Sequence, residues 1–322
     1  MSNYIYFLLG FLSGSLVTYL IVSQKNKRRR KSYRLNLSND SNQNLTYTTD
    51  LDNSLDKDEE LIVDSEECKK IDVKNAVRES PDVIVRFLNE KKIQVKSMPD
   101  EGDEDEVLDK IAVFMGVRYE LIEKFYRRIK SNISLGNSFR MNLRNETQDG
   151  VSAVCQLATR LHRIAFLEEY NYQNSPKFLL YARPSKIPKA INFFTGQWLE
   201  RFIKIQVIEL IETVSEESHY AYLLNPKIVL PNGDDFELDV IFSINGNIFW
   251  FEGKTGDYQR HVNKYSRISS LLDLDKEHSF MVLTDISESS ARDLSLLFNM
   301  TVVSVEKFSG VIQQAINPSL AV

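Results

Sequence analysis

The chain is short of the residues that staple small folds together. Of 322 residues only two are Cys, which excludes a disulfide framework, and no Cys/His grouping has zinc-site spacing. The four histidines, His162, His219, His261 and His278, are scattered, and none has a catalytic partner in sequence. Twelve Gly and eight Pro are too few for a collagen-like or low-complexity chain. Uncharged apolar runs of membrane-spanning length are scarce as well, with one at the N-terminus, so a multi-span membrane protein is excluded. At 43% hydrophobic and 26% charged residues the remainder reads as globular. An excess of positive charge is lacking too: 40 Lys and Arg face 45 acids, for a formal charge of −5, which taken alone argues against a nucleic-acid partner. That average hides +7 over Lys25–Arg34, −9 over Asn36–Glu67 and only −3 over Cys68–Val322.

Residues 4–22, YIYFLLGFLSGSLVTYLIV, carry no charge. As a helix they would rise about 28 Å, close to the hydrocarbon thickness of a bilayer. Tyr4, Tyr6 and Tyr19 lie towards the two ends, where amphipathic rings favour the interface. A secretory signal puts its positive charge ahead of the apolar run, whereas here KNKRRRKSYR follows it. The expectation is one transmembrane helix with the N-terminus outside and the bulk of the chain in the cytoplasm. A cleaved signal or a buried core helix is the competing reading. Gly10 and Gly14 offer a small-residue face, which by itself is weak evidence of helix pairing. Residues 23–67 then read as a basic stop followed by an acidic, disordered tether, with too little apolar surface to offset chain entropy.

From Cys68 to Lys189 the apolar residues fall at helical spacing. Val83, Ile84, Phe87 and Leu88 make one group, Val107, Leu108, Ile111 and Phe114 another, and Leu121, Ile122, Phe125, Tyr126 and Ile129 a third. A further helix is expected over Val151–Phe166, and the acidic run Asp100–Glu106 suits a helix N-terminus. Arg118–Arg163 holds nine Lys or Arg against four acids. Such an excess is either an ordinary solvated face or a platform for a polyanion.

Beyond Lys189 the element order becomes readable. Gly196–Val214 has helical period, His219–Leu230 and Phe236–Ile244 read as strands, and Asn245-Gly246 is a hairpin signal leading into Ile248–Lys254. A helix around Tyr258–Leu272, a strand His278–Thr284, a helix Glu288–Phe298 and a strand Thr301–Val305 complete the series. The expected fold is α/β, an α-β-β-β-α-β core whose mixed sheet is flanked by helices.

Acidic residues stand out on this frame. Asp239 interrupts an apolar strand, and Glu252 and Lys254, two apart, leave the same face of the next one. Pairing outward from the two-residue turn sets Asp239 opposite Glu252 or one residue away. Two carboxylates so close repel unless a divalent cation bridges them, and oxygen ligands favour Mg²⁺ or Mn²⁺. The Gly253 carbonyl can approach such an ion unobstructed, and Lys254 can position its water. Glu200, an acid in an apolar and basic helix, is a further candidate ligand, unless it serves only the helix dipole. Gln259, Arg260, Lys264 and Arg267 form either a phosphate-contacting face or a solvated one, and Glu252 with Lys254 could be a plain ion pair. Trp198 and Trp250 read as core.

Helix Glu200, strand Asp239 and Glu252-Gly253-Lys254 resemble the PD-(D/E)xK, restriction-endonuclease-like nuclease superfamily. FELDVIFSINGNIFWFEGKTG and GQWLERF look closest to nuclease domains of CRISPR-ancillary proteins that sense cyclic oligoadenylate. The resemblance spans about residues 190–305, within a nuclease-like domain 190–322. It implies a metal-dependent endonuclease of DNA or RNA, with Asp239 and Glu252 as metal ligands, Lys254 as catalytic lysine and Glu200 as helix acid. Nucleases of this fold often act as dimers, so a homodimer joins the expectations. Leu238 stands where the superfamily pattern has proline. No Rossmann-like sensor pattern is read ahead of the domain, so control by a cyclic nucleotide is not carried over. The competing function is a non-catalytic nucleic-acid- or protein-binding module that keeps the fold on a membrane anchor.

Overall fold

The computed structural model describes residues 76–214 and 218–316. Its centre is a mixed six-stranded sheet, ordered β1 (Val77–Arg78), β6 (His219–Leu224), β9 (Val240–Ile244), β10 (Asn247–Lys254), β11 (Ser279–Leu283) and β12 (Thr301–Ser304). β9 runs antiparallel to both β6 and β10, β1 is parallel to β6, and β10, β11 and β12 are parallel. Both faces are covered, so β9 (VIFSI) and β11 (SFMVL) are buried along their whole length and read as continuous apolar runs.

Along β10 the side chains alternate between two cores. Phe249 and Phe251 face the helix α6 (Trp198–Val214) with its Leu199, Phe202 and Ile203. Trp250 faces the helix α7 (Val262–Leu272) with Val262, Tyr265 and Ile268. Asn245 and Gly246 both have positive φ, 49° and 83°, as a two-residue hairpin of the primed kind requires. That turn fixes the register: Ile244 pairs with Asn247 and Val240 with Phe251.

Two strands expected as continuous are broken. The run His219–Leu230 divides into β6 and β7 (Lys227–Val229) at Asn225-Pro226, where Asn225 takes φ 54° and proline offers no N–H to the ladder. The run Phe236–Ile244 divides into β8 (Asp235–Glu237) and β9 at Leu238-Asp239. The breaks face one another, with the Asn225 N–H donating to the Asp239 carbonyl at 2.9 Å. β7 and β8 leave the main sheet and join β2 (Gln94–Ser97) in a three-stranded antiparallel sheet.

Ahead of α6 lie α1 (Asp82–Glu90), α2 (Asp103–Val117), α3 (Tyr119–Asn132), α4 (Gln148–Arg163) and the short α5 (Pro188–Asn192), which runs into a π-turn over Phe193–Gln197. α4 starts three residues earlier than the periodicity indicates, because Thr147 caps it with its hydroxyl on the Gly150 N–H. α2 begins inside the acidic run, with the Asp105 carboxylate returning to the Gly102 N–H at 2.8 Å. A third sheet, β3 (Phe139–Asn142), β5 (Leu179–Pro184) and β4 (Leu167–Gln173) in that order, stands against these helices. α8 (Glu288–Phe298) matches the sequence expectation, and α9 (Phe308–Ile316) closes the α6 side with Phe308 and Ile312.

The predicted transmembrane helix at 4–22, the basic stop and the tether lie outside the described residues. Among the described residues no helix is long and apolar enough to cross a membrane.

A chain of charges ties α2 to α6. Lys204, with a side chain only 3% exposed, reaches Asp109 at 2.7 Å and Glu101 at 3.3 Å. Arg201 meets Asp109 at 2.8 Å and also Asp105, and the Tyr222 hydroxyl donates to Glu101 at 2.6 Å. Where the helices approach most closely, Gly116 has no room for a Cβ against the Phe202 ring. Removing Lys204 would leave Asp109 to Arg201 and Glu101 to Arg78 and Tyr222, so Lys204→Ala is expected to cost about 1.5–3 kcal/mol in urea unfolding. Burial works against ionisation of Glu101, but Tyr222, Lys204 and Arg78 outweigh it and hold its pKa below the usual 4.5. A depressed carboxylate stabilises above its unfolded pKa and loses that contribution as pH falls through the folded one. The stability gap between wild type and Glu101→Gln should therefore be full above about pH 5 and shrink steadily towards pH 3 in parallel urea titrations.

Candidate active site

The site is built at the C-terminal end of β10. Glu252 is 2% exposed and Asp239 6%, and the Lys254 ammonium lies between them, 2.7 Å from Glu252 Oε1 and 3.2 Å from Asp239 Oδ2. Asp239 sits one residue before the first paired residue of β9, level with Glu252 across the hairpin. The break at Leu238-Asp239 thus releases its carboxylate to accept the Gly253 N–H at 2.8 Å. In a strand the N–H and C=O of one residue point to the same edge, so the Gly253 carbonyl also lies on Asp239's side. The Lys254 carbonyl lies on the opposite edge, where it accepts the Thr284 N–H at 3.2 Å.

Burial pushes the Glu252 carboxyl up to about 8, with the Asp239 charge adding to it and Lys254 opposing. Burial raises Asp239 as well, against the pull of Lys254 and the Gly253 N–H. For Lys254 burial opposes the charge, but Glu252 and Asp239 outweigh it and keep the ammonium protonated. Glu200, in the first turn of α6, does not touch either carboxylate. It accepts from Asn225 Nδ2 at 3.0 Å, and burial, followed by the Asp239 charge, pushes it up to about 7.

Two buried oxygens are left without a partner here, Glu252 Oε2 and Asn225 Oδ1. Three carboxylates share one ammonium, so ionising them all leaves two negative charges that a single divalent cation would match. The donors are all oxygens, which fits Mg²⁺ or Mn²⁺. Among the described residues no three His, Cys, Asp or Glu side chains already converge as a metal cage, so the Gly253 carbonyl and water would complete any coordination.

The carboxylates and Lys254 open into a cleft of about 520 Å³ walled by β7, β8 and α7. Of the four residues expected to touch phosphate, Lys264 lines this cleft, with its ammonium 4.6 Å from the centre of the Phe236 ring. Gln259, Arg260 and Arg267 are exposed and do not line it, and Arg260 pairs with Asp257 at 3.3 Å. Trp198 and Trp250 are fully buried core.

Three residues here were not singled out from sequence. Tyr265 of α7 sets its ring centre 5.2 Å from the Lys254 ammonium, a position that helical spacing from Val262 could have revealed. Lys227 stands at the rim. Asn225 links Glu200 to the Asp239 backbone and follows an apolar strand with no local signal of such a role.

The central sheet and its helices form a mixed α/β fold with a buried cluster of carboxylates and one lysine that opens into a cleft. No family model matches the sequence, and no curated protein matches it. Among solved structures, Can2 from Sulfobacillus thermosulfidooxidans, determined in complex with cyclic tetra-adenylate, is similar with a TM-score of 0.50 and 12% identity over 73% of this chain. Protein VC1899 from Vibrio cholerae gives a TM-score of 0.49 and 15% identity over 74% of this chain. The match takes in 61% of the length of each of those proteins. At that identity the likeness to Can2 is one of fold, and at that level the resemblance to CRISPR-ancillary nucleases drawn from the sequence is met.

Gly253 has a structural duty of its own. A Cβ there would lie 3.1 Å from Leu199 Cγ and 3.3 Å from Ile203 Cδ1, both on fully buried side chains. Gly253→Ala should cost about 1–3 kcal/mol by overpacking, read as a lower urea midpoint. An unchanged midpoint would mean that α6 has room to retreat.

Proposed function

We propose that this chain is a metal-dependent nuclease that hydrolyses phosphodiester bonds of DNA or RNA, anchored to a membrane by residues 4–22 with its bulk in the cytoplasm. The observation that carries the reading is the buried set Asp239, Glu252 and Lys254 at the floor of an open cleft, with an unpartnered Glu252 oxygen and more carboxylate than cation. An ordinary structural ion pair would be satisfied by the lysine alone, whereas this set retains unmatched acceptors.

Asp239, Glu252 and the Gly253 carbonyl would hold Mg²⁺ or Mn²⁺, and Glu200 lies close enough to bias the same charge. When bound, the ion supplies Lewis-acid polarisation of the scissile phosphate and lowers the pKa of water. Lys254 stays protonated between its carboxylates, so it acts as a hydrogen-bond donor to oxygen that gains charge in the transition state, not as a base. The Tyr265 ring limits where that ammonium can point. Lys227 and Lys264 could meet a polyanion at the cleft, where Asp235 and Glu237 offset part of the positive charge. The tether of residues 36–67 would hold the domain off an anionic membrane surface, and a homodimer is compatible with the fold.

The full chain in detergent micelles, given labelled single- and double-stranded DNA and RNA with Mn²⁺, is expected to cut at least one polymer. EDTA should stop the reaction, and Lys254→Ala or Asp239→Ala should slow it by about 100-fold or more. A folded, Mn²⁺-loaded chain that cuts none of them, at any length, would sink the enzyme reading in favour of a binding module.

A further inference from the structure

A second basic feature lies outside the cleft. The exposed side of α3 and the strand β3 enclose a groove of about 600 Å³ lined by Lys124, Arg127, Arg128 and Ser131 from the helix and Arg140 and Asn142 from the strand. Glu146 is the one acid on its walls, and it is engaged by Lys124 at 2.6 Å. Arg127 is shared between Glu123 at 2.6 Å and Asp285 at 2.7 Å. Arg128 and Arg140 are exposed and make no ion pair with any described carboxylate. Two guanidinium groups thus face the groove with their donors free, beside hydroxyl and amide groups that can also bind phosphate oxygen.

This helix is joined directly to the catalytic strand. Lys130 donates to the carbonyl of Thr255 and, at 2.8 Å, to its hydroxyl, and Thr255 immediately follows Lys254. Arg127 reaches Asp285, in the loop after β11, at the same end of the parallel strands. α3 and the end of β10 are therefore tied to each other by part-buried hydrogen bonds from Lys130 to Thr255.

We propose that the α3–β3 groove is a second nucleic-acid contact, in which Arg128 and Arg140 grip the phosphate backbone of a strand whose scissile bond lies at Lys254. The proposal rests on the nuclease reading of the cleft and adds a footprint to it. A planar fork of donors suits phosphate better than a neutral surface, and two such contacts beyond the cleft would make binding depend on strand length and salt. Nucleic acid is favoured over a lipid headgroup because the groove is tied to the catalytic strand.

The test uses full chain in detergent micelles and fluorescent random-sequence oligonucleotides of 6 and 30 nucleotides, as DNA and RNA, single- and double-stranded. Binding is measured by anisotropy in EDTA, so that nothing is cut. Arg128→Glu with Arg140→Glu is compared with Arg128→Gln with Arg140→Gln, and Lys110→Glu on exposed α2 serves as the control. The charge reversal is expected to weaken 30-mer binding at least tenfold and to reduce the slope of log affinity against log salt by about two. The Gln pair should lose less, and Lys110→Glu should match wild type. If wild type binds the 30-mer and the reversal changes neither affinity nor salt slope, the groove has no such role while the cleft reading stands. If wild type binds no polymer in EDTA, the groove proposal falls, while the metal-dependent cleft reading stands or falls with the Mn²⁺ cleavage assay. Lost binding to phosphatidylserine vesicles with oligonucleotide binding intact would assign the groove to the membrane and overturn the proposal.

Discussion

Lys254 holds its ammonium between Glu252 and Asp239 at the end of a strand whose neighbours are packed on both faces. Putting carboxylates in such a place is costly, and one lysine offsets only part of that cost. The surrounding structure is arranged so that this charge is tolerated. β9 stops one residue short, so Asp239 can turn towards the Gly253 N–H. β7 and β8 peel away and open the cleft through which the carboxylates reach solvent. α6 presses against Gly253 from one side, and α7 brings Tyr265 against Lys254 from the other.

Much of this was legible in the residues. β10 announced itself because IFWFEGK is apolar on both faces until its last three positions, and the Asn-Gly turn fixed its partner. Register follows from counting outward from that turn, which is why the residues alone bring Asp239, Glu252 and Lys254 together. The breaks at Asn225-Pro226 and Leu238-Asp239 are marked only by a proline and a carboxylate within apolar runs, and pairing of β7 with β2 and β8 draws those segments into a second sheet. β1 to β5 escaped for a different reason: β1 and β2 are short and largely exposed, and β4 alternates weakly. The partners of β1 and β2, which are β6 and β7, lie far along the chain, beyond the reach of local periodicity.

The region ahead of α6 and the central sheet is not an independent appendage. Lys204 and Arg201 on α6 answer Asp105 and Asp109 on α2, and Tyr222 of β6 reaches Glu101 just before it. The described residues accordingly fall within one compact unit, Glu67–Val322. A boundary near residue 190, natural from the change in hydrophobic pattern, therefore runs through a part-buried ionic network. Aromatic contacts cross at the same place, with Tyr119 stacked on Trp198 at 5.8 Å and Tyr126 edge-on to it at 5.4 Å.

The two-residue turn at Asn245-Gly246 also acts as a ruler. Because side chains alternate with a period of two, one residue inserted in either arm between Val240 and Phe251 would swap inner and outer faces along that arm. Asp239 would then face away from Lys254, and Phe242 or Trp250 would turn towards the wrong core. Length variation is thus barred from this hairpin and confined to connections outside it. In descendants of this chain, the spacing from Asp239 to Glu252 should be as invariant as the residues themselves.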